Sequence, residues 1–226
     1  MPLMKTTISI LIFMLSVLSL SAERVIRVIY YQGPSDAPRE AFLYGTNGNF
    51  AKVKLPRHNT SDEVVLPDSG EDFVLLPREL PPETLPPSNA PKVKIPIDWE
   101  LSVLLVLTDS SNPVLPLKVQ PINASDSVFG PGEIYWVNLT EIAVGGTIGN
   151  TKLVVLPRSV KITSSPKTDR GDYSVLIDCV TPGESKRRWL VRQTWRHAPT
   201  ARQIVFIQPL DPPRIASLYT ISFYEE

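Results

Sequence analysis

The stretch Arg187-Arg-Trp-Leu-Val-Arg-Gln-Thr-Trp-Arg-His197 interleaves guanidinium groups with indoles. Planar guanidinium groups bind carboxylates, sulfates or phosphates bidentately. Read as a strand with a period of two, Trp189, Val191, Gln193 and Trp195 point one way. Arg188, Leu190, Arg192, Thr194 and Arg196 point the other. That alternation needs no ligand, because the indoles enter a core while the guanidinium groups stay in water. The row Arg188, Arg192 and Arg196 is nevertheless the candidate partner-binding surface, suited to an envelope protein or an anionic glycan. Trp189 and Trp195 would serve a carbohydrate-binding module only if they faced solvent.

Other reactive side chains are scarce. The two histidines, His58 and His197, stand in no metal-ligand spacing, and Cys179 is the only cysteine. Neither a zinc set nor an intramolecular disulfide framework follows. In Tyr173-Ser-Val-Leu-Ile-Asp-Cys179 the cysteine shares a strand face with Tyr173, Val175 and Ile177, which reads as a buried, inert thiol. No Gly-x-Ser-x-Gly elbow occurs. Gly145-Gly-Thr-Ile-Gly149 lacks the following lysine and helix of a phosphate loop and reads as part of a hairpin. No catalytic, cofactor-binding or metal residue is assigned, and no cofactor is implied. Asn59-Thr-Ser61, Asn123-Ala-Ser125 and Asn138-Leu-Thr140 match the acceptor triplet for N-glycosylation, the third inside a strand.

The elements that must position these groups begin after a leader. Lys5, the apolar run from Ile8 to Leu20 and the small residues Ser21 and Ala22 form the pattern of a secretory signal peptide over residues 1–22. The run is shorter than a membrane span needs. The expectation is an exported protein, periplasmic or extracellular, with no membrane span after cleavage. The whole chain carries 23 basic and 23 acidic groups, which gives no excess of positive charge for nucleic acid. Residues 23–150 hold 10 basic against 16 acidic groups, and residues 151–226 hold 12 against 7. That asymmetry is compatible with head-to-tail self-association.

An internal repeat organises the mature chain. Gly45-Thr-Asn-Gly-Asn-Phe-Ala-Lys-Val-Lys-Leu-Pro-Arg57 aligns with Gly146-Thr-Ile-Gly-Asn-Thr-Lys-Leu-Val-Val-Leu-Pro-Arg158 at an offset of 101, with eight of thirteen positions identical. Val74-Leu75 meets Val175-Leu176 at the same offset. Ile29-Tyr-Tyr31 resembles Ile134-Tyr-Trp136, and Leu104–Leu107 falls on Ile204–Ile207 at an offset of 100. Gly-Asn at 48–49 and at 149–150 marks two-residue hairpins. Prolines 56, 67, 77, 96, 116 and 157 punctuate strand ends. Strands are expected over Val25–Tyr31, Phe73–Leu76, Leu101–Leu107, Ile134–Asn138 and Tyr173–Asp178. The fold class is all-β: two tandem immunoglobulin-like β-sandwich domains over residues 23–126 and 127–226, with a boundary around Asn123–Gly130. The proline-rich stretch 80–91 reads as a stiff surface loop of the first domain.

The segments Ile134-Tyr-Trp-Val-Asn-Leu139, Val144-Gly-Gly-Thr-Ile-Gly149, Leu156-Pro157, Thr194-Trp-Arg-His197 and Arg202-Gln-Ile-Val-Phe206 together resemble a family of uncharacterised secreted bacterial proteins with two β domains. The resemblance spans most of the mature chain. It implies export and the fold, and it carries no catalytic residues. The leading functional expectation is a non-catalytic exported protein that binds or scaffolds in the cell envelope. The rivals are an extracellular hydrolase of glycans or esters with its site between the domains, and a carbohydrate-binding module.

Overall fold

A computed structural model describes residues 23–180, 187–211 and 215–224. The expected signal peptide lies outside the described residues. The chain is all-β, as the strand-length apolar segments and proline punctuation predict. The first eight strands are β1 (Val25–Tyr30), β2 (Glu40–Tyr44), β3 (Phe50–Lys54), β4 (Val64–Val65), β5 (Asp72–Leu76), β6 (Lys92–Lys94), β7 (Leu101–Thr108) and β8 (Leu117–Asn123). The next eight are β9 (Glu133–Asn138), β10 (Val144–Ile148), β11 (Thr151–Val155), β12 (Val160–Ser164), β13 (Gly171–Val180), β14 (Arg187–His197), β15 (Ala201–Pro209) and β16 (Ala216–Tyr224).

These strands form four sheets of four. The first unit has an outer sheet, β3-β2-β5-β6, and an inner sheet, β4-β1-β7-β8. The second unit repeats the same orders eight strands later, as β11-β10-β13-β14 and β12-β9-β15-β16. Even the parallel pairing of β1 with β7 recurs, between β9 and β15. The duplicated unit therefore survives as topology, strand for strand.

Three apolar cores separate the four layers. Ile26, Val28 and Tyr30 of β1 meet Leu43, Val53, Phe73 and Leu75 inside the first sandwich. Trp136, Val205 and Ile207 meet Val144, Leu153, Val175 and Ile177 inside the second. Between the units, Ile29, Tyr31, Val103 and Leu105 pack on Ile204, Phe206, Ile221 and Phe223. The two inner sheets are thus covered on both faces. This explains why Val103–Leu107 is continuously apolar, since a strand covered on both sides has no side to leave polar.

Polar contacts seal the rim of the junction. Tyr31 and Phe206 stack with centroids 4.4 Å apart. The Tyr31 hydroxyl donates to Gln208 Oε1 at 2.5 Å, and Gln32 Nε2 donates to the same oxygen at 2.8 Å. Tyr219 donates to the Arg57 carbonyl at 3.2 Å and lies 3.3 Å from His58 Nδ1. Arg202, fully buried, donates through Nε to the Phe129 carbonyl at 2.7 Å and pairs with Asp126. It thereby fixes the connection between β8 and β9 against β15.

The repeat is less regular in register than in topology. At an offset of 101 Val53 falls on Val154 and Leu55 on Leu156, yet Val53 and Leu55 are buried while Val154 and Leu156 are exposed. The core-facing counterparts are Leu153 and Val155, one residue earlier. Hairpin length is the cause. Ile148 pairs with Thr151 across the two-residue turn Gly149-Asn150, whereas Tyr44 pairs with Phe50 across a five-residue loop. That longer loop is tied down by Asp68, which accepts from Thr46 Oγ1, Asn47 N and Gly70 N. The Gly70 bond leads the set that holds the Asp68 carboxyl below its usual range.

Candidate functional site

The outer sheet of the second unit carries the stretch singled out by sequence, and a β-bulge rearranges it. Val191 pairs with Ile177, but Trp189 pairs with Asp178, so Leu190 is the extra residue. An extra residue reverses the alternation beyond it. Leu190 and Val191 both pack against the core, and Trp189 moves to the outer face. There it is 50% exposed, contrary to the inward position expected of it. Trp195, on the unshifted side, meets that expectation in part: it is half-buried, stacked on Trp136 with centroids 6.0 Å apart and edge-on to Tyr173.

The arginine row changes membership for the same reason. Arg188 pairs with Cys179, whose side chain is in the core, and so leaves the face of Arg192. Arg192 and Arg196 remain on the outer face, opposite Leu176 and Asp172, and Arg187 joins them opposite Val180. Arg196 comes within 3.8 Å of Asp172. The Arg192 guanidinium lies 4.8 Å from the Trp189 ring centroid, a cation–π contact that ties the two side chains together.

Two ladders of paired residues run straight across this sheet. Val154, Gly145, Asp178 and Trp189 form one; Lys152, Thr147, Leu176 and Arg192 form the next. Because Gly145 has no side chain, the first ladder has a gap beside Asp178. The result is an open trough of about 390 Å³, with Trp189 on one wall and Lys152 and Val154 on the other. Gly146, at φ +151°, faces the core side, where a Cβ would lie 1.9 Å from the Leu176 carbonyl oxygen. The glycine pair is therefore neither a phosphate loop nor the turn itself. Strand glycines often mark such a close approach, and that was the available signal.

Asp178 gives the trough its chemistry. It is 4% exposed, and its Oδ2 accepts from Arg187 Nη1 at 3.1 Å. No other side chain among the described residues donates to this carboxylate. Arg187 and Lys152 line the trough with this one carboxylate, and Arg192 is held on the Trp189 ring, so the surroundings are net cationic. The trough offers an aromatic wall, a buried acceptor and two positively charged donors.

The remaining reactive side chains lie apart from the trough. Cys179 is buried. His197 is buried against Gly132, and His58 is exposed at the junction of the units. Among the described residues no three histidine, cysteine or acidic side chains gather as a metal set, and no helix is long and apolar enough to cross a membrane. Asn138 is 1% exposed; its Nδ2 donates to the carbonyls of Ile142, Val155 and Leu156, leaving no room for a glycan. Asn59 is exposed.

The first unit treats the equivalent face differently. Residues 77–91 connect β5 to β6, and Leu80 and Ala90 of this proline-rich segment pack on Tyr44 and Leu76. The Tyr44 hydroxyl accepts from Leu80 N at 2.7 Å. That outer sheet is covered by its own chain. No protein-family model matches the sequence, and no curated protein sequence matches it.

Proposed function

We propose that this is an exported, non-catalytic binding protein that docks its ligand on the outer sheet of the second unit, with the first unit as a rigid mount. The reading rests on the trough between Trp189 and Lys152, floored by a buried carboxylate and open to solvent. An exposed indole beside convergent charged groups is the composition of a recognition surface rather than of a solvated strand. The continuous apolar junction supports the mount, because two sandwiches joined through a shared core move as one body. Export is supported by the charged, apolar and small-residue order of the first 22 positions.

The test is co-sedimentation of the purified protein with isolated cell-envelope material. The wild-type protein is expected in the pellet, and a Trp189→Ala/Arg192→Ala variant in the supernatant, with unchanged circular dichroism. Equal sedimentation of the two would refute docking through this face.

A further inference from the structure

We infer that the trough binds an acidic saccharide, a sugar bearing a carboxylate or sulfate; this rests on the binding reading above. Each wall matches one part of such a ligand. The flat indole of Trp189 suits the apolar C–H face of a pyranose ring, which packs on aromatic rings as other apolar groups do. The Asp178 carboxylate, engaged at one oxygen by Arg187, is an acceptor for sugar hydroxyls. Burial makes that acceptor strong and orientation-dependent.

The charge selects the acidic member of the class. Arg187 and Lys152 line the trough against the single Asp178, an excess of one positive charge, and Arg192 on the Trp189 ring adds another beside it. Arg187 is 71% exposed while its partner carboxylate is 6% exposed, so its other guanidinium nitrogens face outward. A planar guanidinium in that position suits a carboxylate or sulfate. The volume, about 390 Å³, holds one or two sugar rings of a longer chain passing over an open sheet. The missing side chain of Gly145 allows a ring to come down beside Asp178, whereas the outer sheet of the first unit lies under its proline-rich segment.

An acidic peptide would use the same cations but gains little from the indole wall or from a buried carboxylate. It is the competing outcome. Affinity electrophoresis through gels containing polygalacturonate, amylose or polyglutamate separates the cases. Polygalacturonate is expected to retard the full mature protein, and amylose and polyglutamate to retard it far less. Trp189→Ala should weaken retardation about tenfold, the equivalent of one aromatic stacking contact with its buried area. Lys152→Gln, an exposed change, should weaken it severalfold. Arg170→Gln, which removes an exposed cation outside the trough, should change it less than about twofold, as expected of a screened distant charge.

Polyglutamate retardation with the same Trp189 dependence would overturn the saccharide while leaving the docking face standing. Equal retardation by amylose would overturn the acidic selection. Polygalacturonate retardation indifferent to Trp189 and Lys152 would overturn the trough as the site. No retardation in any gel would overturn the ligand class, and Trp189-dependent envelope sedimentation would then show that the broader binding reading survives.

Discussion

Replacing Phe206 by alanine tests whether the two sandwiches are one thermodynamic body. Phe206 belongs to β15 of the second unit, but its side chain is fully buried in the junction, stacked 4.4 Å from Tyr31 of the first. Removing a buried phenylalanine costs about 3–5 kcal/mol through lost transfer energy and the cavity left behind. About 1 kcal/mol of this belongs to the aromatic pair. For a chain of this size, a urea dependence of about 2–3 kcal/mol per molar converts the loss to a midpoint drop of about 1–2 M. The informative assay is hydrogen exchange resolved by strand. If the junction couples the units, β1 and β7 of the first sandwich lose protection together with β9 and β15. Phe206→Ala that leaves β1 and β7 at wild-type protection would refute the shared core. The units would then be independent domains that merely touch.

Further perturbations bear on other contacts. Arg202→Ala should cost about 3–5 kcal/mol, because it opens a cavity and leaves the Phe129 carbonyl without its donor, and Asp126→Asn should cost about 1–3 kcal/mol, because it takes the carboxylate from a fully buried guanidinium; chemical denaturation measures both. Gly146→Ala should cost about 3 kcal/mol or more, from its φ and from overlap with the Leu176 carbonyl. Gly145→Ala, whose nearest contact would be 3.5 Å away, should shift stability by less than about 1 kcal/mol while abolishing polygalacturonate retardation. Burial raises the Tyr31 hydroxyl from 10.0 to about 12, so the folded state favours the neutral phenol. Its contribution is complete below pH 10 and is lost as pH rises toward about 12; Tyr31→Phe should flatten that alkaline decline in melting temperature.

The parts legible in sequence are those written in backbone-determining residues. Glycine, asparagine and proline at Gly149-Asn150, Pro56 and Pro157 mark turns and strand ends whatever surrounds them, so strand positions and the doubled topology follow. Register does not, because it depends on how many residues a turn contains. The five-residue loop before Phe50 and the two-residue turn before Thr151 shift the facing of β3 and β11 by one residue despite the identities around them. The bulge at Leu190 is likewise silent: leucine is an ordinary strand residue, and only the pairing with β13 shows that it is extra. That one residue exchanges Arg188 for Arg187 and turns Trp189 outward. The continuous apolar run of β7 did carry a usable signal of double coverage; identifying what covers its second face required the partner sheet.

The parallel pairing of the inner strands also dictates how the chain must be made. Val25 cannot find Leu101 until some seventy-five further residues have left the ribosome, and Gln203 closes on Ile134 only near the end of synthesis. Such distant partners make folding slow. A nascent first sandwich, once closed, still presents Ile29, Val103 and Leu105 bare on its back until β15 and β16 cover them. A fragment ending after β8 is therefore expected to associate with itself or precipitate, as sedimentation of the isolated first unit would show.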